Sequence, residues 1–155
     1  MPAPPLAVLW IDPGLATGFA GLDHGQFWAD EFDWNAACDK ITGYANYYRS
    51  MLYIGWERFT IRPDTHKMSP QPEAYEFPGV IRYINHVYGC PLLSPAQPSE
   101  RNVATPAMLK AAGWWTPGKD DAQSATQHLL AWMIRSYCVP PDIQTLLEQA
   151  RTGTE

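Results

Sequence analysis

A chain of 155 residues with 46% hydrophobic and 17% charged side chains can bury a sizeable core and is too apolar to be disordered. Its formal net charge of −5 argues mildly against a protein that coats nucleic acid through bulk positive charge, while leaving room for a local basic patch. No apolar run has the length of a membrane span, the opening MPAPP lacks the basic-then-apolar layout of a secretion signal, and three scattered cysteines (Cys38, Cys90 and Cys138) suggest neither a disulfide framework nor a zinc pattern, so the expectation is a cytoplasmic protein.

The first apolar run, LAVLWI at 6–11, predicts a strand buried on both faces. GLATGFAGLD at 14–23 and QFWADEFDW at 26–34 predict two more strands, with Asp23, His24 and Gly25 turning between them. A helix is expected over 35–51, capped by Asn35 and burying Ala37, Ile41, Ala45 and Tyr48. The aromatic run MLYIGWERF at 51–59 predicts a fourth strand, and 60–72 a long loop interrupted by proline.

Residues 73–89 predict a helix with a Pro-Gly break and Gly89 as its stop. CPLLSP at 90–95 predicts a fifth, short strand. A short helix at 105–113 has Thr105 as its cap and Pro106 in its first position. A long amphipathic helix at 119–137 and a last short one at 141–150 close the chain. The fifteen prolines cluster between elements, so one domain over 1–155 is expected, with its core at about 6–138. The order β-β-β-α-β-α-β-α-α predicts an α/β fold: a mixed five-stranded sheet of the RNase H-like plan, flanked by helices.

Three acidic positions fall where such a fold brings carboxylates together. Asp12 ends the first strand, Glu57 lies near the end of the fourth, and Asp120 and Asp121 open the long helix. Clustered oxygen ligands suit hard divalent cations, and paired ions stabilise both the attacking and the leaving oxygen in phosphodiester hydrolysis. Each position also has a plainer reading. Asp12-Pro13-Gly14 is turn chemistry, Glu57 can pair with Arg58, and acids in a first helical turn offset the helix dipole. Asp121, Ser124, Ala125 and His128 share one helical face, with His128 readable as a buried core histidine. Trp114 and Trp115 read more readily as core than as a stacking platform.

IDPGLATGFA, the strand glutamate of GWERF and KDDAQSATQHLLAW, in this order and spacing, resemble the RuvC family of Holliday junction resolvases, the small phage-encoded members above all. The resemblance runs from about residue 6 to 138. It implies a metal-dependent endonuclease that cuts four-way DNA junctions by two-metal hydrolysis, using Mg²⁺ with Mn²⁺ as a substitute. It further implies a homodimer working on branched DNA, in the host cytoplasm if phage-encoded. Asp12, Glu57 and Asp121 match the family's metal ligands. Asp120 is the alternative if the register differs. Ser124 departs from the pattern, standing where the family has an acid, and His128 is a further candidate near the site. Arg58, Arg62, Lys67 and Lys119 are the expected DNA contacts, and the helix at 73–88 the expected dimer face. Alternatives are a broader structure-selective nuclease acting on flaps, forks or RNA–DNA hybrids, and a junction-binding protein whose active site has decayed.

Overall fold

The computed structural model describes residues 6–59 and 72–152. Its centre is a mixed four-stranded sheet in the order β3-β2-β1-β4. β1 (Ala7–Asp12), β2 (Thr17–Asp23) and β3 (Gln26–Phe32) form the antiparallel meander that the sequence predicts. The turn between β2 and β3 is the tight one expected, with positive φ at His24 (47°) and Gly25 (79°).

Helix α1 (Trp34–Tyr48) crosses over to β4 (Leu52–Trp56), which lies parallel to β1. Its buried residues are the four expected, Ala37, Ile41, Ala45 and Tyr48. Its cap is Asp33 rather than Asn35: the Asp33 carboxylate accepts the Ala36 N–H at 2.8 Å, so the helix starts earlier, at Trp34. Helix α2 (Glu73–Tyr88) runs unbroken through Pro78 and stops at left-handed Gly89. The expected Pro-Gly break is absent. Pro78 costs one intrahelical hydrogen bond, and burial of Ala74, Phe77, Ile81 and Ile84 along one stripe offsets that loss.

The fifth strand is reduced to two isolated parallel bridges to the outer side of β4, Ile54 with Leu92 and Glu57 with Ala96. Pro91 and Pro95 supply no N–H, so a continuous ladder cannot form there. A 3₁₀ turn at Pro98–Val103, which the sequence reading did not foresee, leads into α3 (Pro106–Ala112), capped by Thr105. Helices α4 (Asp120–Arg135) and α5 (Pro141–Thr152) complete the chain, α5 lying on α3 with Leu147 in the core.

The sheet separates two cores. Odd positions of β1 (Ala7, Leu9, Ile11) face α1 and α2, and even positions (Val8, Trp10, Asp12) face α4. All three cysteines are free. Among the described residues no helix is long and apolar enough to cross a membrane. The loop expected at 60–72 lies outside the described residues but for its last position, as do Arg62 and Lys67.

Candidate active site

Asp12 ends β1 on the α4 side of the sheet. Because β4 runs parallel to β1 with Ile11 beside Trp56, the next residue, Glu57, lies alongside Asp12. The Glu57 N–H donates to the Ile11 carbonyl at 2.9 Å and fixes that register. On the other flank Asp12 is the cross-strand partner of Gly18. Gly18 leaves its α4-facing side bare, and the backbone of Asp121 fills the gap; a Cβ at Gly18 would collide with the Asp121 carbonyl. Strand register and one glycine thus bring the three carboxylates to the same end of the sheet.

The first turn of α4 is capped from a distance. Lys119 gives no side-chain cap. Instead the Glu31 carboxylate of β3 accepts the N–H groups of Asp121 (2.9 Å) and Ala122 (3.3 Å). Asp121 is partly buried and its charge acts on Asp12, whereas Asp120 is exposed. Lys119, expected as a DNA contact, is half-exposed and paired with Asp30 at 2.5 Å. Arg58 is exposed and does not form the Glu57 pair that its position suggested.

Glu57 is held by two other groups. His128 meets its Oε2 at 2.7 Å, and Arg101 reaches the same oxygen at 3.1 Å. A carboxylate only accepts, so His128 Nε2 carries the hydrogen. His128 is fully buried and stacks on Trp10, with ring centroids 5.5 Å apart. Trp10 in turn lies over Gly55, where any Cβ would strike the indole. His128 is therefore a core histidine and a hydrogen-bond donor to Glu57 at once. Its Nδ1 is buried without a partner.

Arg101 was not among the residues singled out from the sequence. It sits on the 3₁₀ turn, and the same nitrogen that binds Glu57 also donates to Ser124 Oγ at 3.1 Å. The available signal was the Gln97-Pro98-Ser99-Glu100 capping pattern, which marks a helical turn inside a proline-rich stretch. Glu31 was missed as well, although the alternation of Phe27, Ala29 and Glu31 puts it on the α4 face.

The electrostatics record a cluster short of positive charge. Burial, then the charges of Glu57 and Asp121, push Asp12 up to about 8, against the opposing effects of Arg101 and a hydrogen bond from Ser124. Asp121 is also raised, by burial first and then by Glu31, Asp120 and Glu57. Among the described residues no three His, Cys, Asp or Glu side chains converge as a ready cage for a metal ion. Glu57 is turned to Arg101 and His128.

Of the tryptophan pair, Trp114 is buried and stacked on Phe27 with centroids 4.7 Å apart, whereas Trp115 is partly exposed beneath Lys110. The helix expected at a dimer face buries Phe77, Ile81 and Ile84 in its own core and leaves Tyr75, Tyr83 and Val87 exposed. Comparison with protein-family models, curated proteins and solved structures returns no match.

Proposed function

We propose that this protein is a metal-dependent endonuclease of RNase H-like plan that cuts branched DNA, four-way junctions foremost. One observation carries the reading: Asp12 ends β1 where Glu57 follows β4 and the Asp121 backbone packs on Gly18, and burial with the charges of Glu57 and Asp121 raises Asp12 to about 8, an excess of negative charge that a cation would relieve. The donors are hard carboxylate oxygens beside a hydroxyl, which fits Mg²⁺ or Mn²⁺. Asp12 and Asp121 would hold the ion, with Glu57 beside them.

A divalent cation bound there supplies charge against the phosphate and lowers the pKa of water. The chain's own residues do the rest. His128, stacked on Trp10 of β1, fixes the Glu57 carboxylate. Ser124 orients Asp12, and Glu31 anchors the turn that presents Asp121. Asp12 must shed its proton to bind a cation, so cation affinity should climb as the pH rises toward 8.

A four-way junction is two-fold symmetric and needs paired cuts, which a two-fold dimer would match. The test is cleavage of synthetic junction, flap, fork, hybrid and linear duplex in Mg²⁺. Junction nicking that disappears in Asp12→Asn, with junction binding kept, supports the reading. Equal cutting of flaps and hybrids supports the broader nuclease. Binding without cutting in Mg²⁺ or Mn²⁺ overturns the enzymatic assignment.

A further inference from the structure

Arg101 brings a guanidinium into the acid cluster, where it contacts Glu57 and Ser124. Its guanidinium reaches both with a single nitrogen and lowers the pKa of Asp12 through space. Of the two Glu57 carboxyl oxygens, Oε2 is committed to Arg101 and to His128, which lie on the side of the cluster where α4 contributes a hydroxyl instead of a carboxylate. A fixed positive charge at this place repels a divalent ion from it and satisfies the oxygens such an ion would need.

Resting on the metal-dependent reading above, we propose that Arg101 takes the place of a second divalent cation, so that each chain binds one ion, on the Asp12–Asp121 side. The guanidinium then stands ready to meet a phosphate oxygen with its remaining N–H groups, work that a second ion would otherwise do. Arg101 is 34% exposed, so those groups have access to a ligand.

The test is a Mn²⁺ titration of the full-length chain followed by the paramagnetic resonance signal of the free ion. Site ions are counted as those lost on Asp12→Asn in the same background, which removes weak surface binding by an acidic protein. The expected count is one per chain for the wild type and for Arg101→Lys, and two for Arg101→Gln combined with Ser124→Asp. Two site ions in the wild type, or one in the double variant with an unchanged melting profile, would overturn the proposal and leave metal dependence intact. No site ion in the wild type would overturn both. The wild-type count stands even if the double variant fails to fold.

Discussion

The two faces of the sheet are built from the same strands and do different work. The α1/α2 face takes Leu9, Ile11, Phe19, Ile54 and Trp56 and closes over them with aliphatic and aromatic side chains. The α4 face takes Val8, Trp10 and Ala20, and then turns polar at its end, where Asp12, Glu57, Ser124 and His128 meet. One face gains stability from close packing of apolar surface. The other keeps a costly cluster of carboxylates, and expense of that kind marks functional sites.

The contrast breaks most sharply at Phe77, fully buried against Phe19 and Trp34 on the α1/α2 face. Phe77→Ala should cost about 3–5 kcal/mol in denaturant unfolding, with cation binding unchanged in the protein that remains folded. Gly18→Ala, on the α4 face, should cost about 3 kcal/mol, because the new Cβ meets helix backbone that cannot rotate away. Unlike the first change, it should also weaken Mn²⁺ binding by separating Asp121 from Asp12.

Asp12→Asn should act in the opposite direction. Asp12 rises from 3.8 to about 8 in the folded chain, with Glu57, Asp121, Arg101 and Ser124 as the groups facing it. Between those values the folded protein keeps a proton that the unfolded chain has lost. The stability of the metal-free protein should therefore be full below about pH 4 and decline as the pH rises through 8. Asp12→Asn should flatten this decline and stabilise the metal-free protein at pH 8, on the order of 2 kcal/mol. A wild-type profile that is flat from pH 4 to 8 would contradict the buried cluster. The smallest effect is expected at Gly79, in α2 with open space around it. Gly79→Ala should stabilise by about 0.5–1 kcal/mol through helix propensity alone, with no change at the site.

The apolar face was legible in the sequence because periodicity reports burial directly. The four buried positions of α1 and the meander of β1 to β3 follow from it. The fifth strand does not form because Pro91 and Pro95 lack the N–H groups of a ladder, and this outweighs the apolar content at 90–95. Asp12, Glu57 and Asp121 could be found as acids at element ends. Arg101 and Glu31 have only a local signal, a capping pattern and a strand alternation, and neither reports the partner, which lies 44 residues away for Arg101 with Glu57 and 90 for Glu31 with Asp121. The first turn of α4, which holds Asp120 and Asp121, likewise takes its cap from Glu31 of β3, far away in the chain.

Anomalous diffraction from crystals grown with Mn²⁺ tests the central claim most directly. The account predicts a peak at the C-terminal end of β1, within bonding distance of the Asp12 and Asp121 carboxylates. Manganese bound only elsewhere on the surface, with those two side chains turned apart, would contradict it.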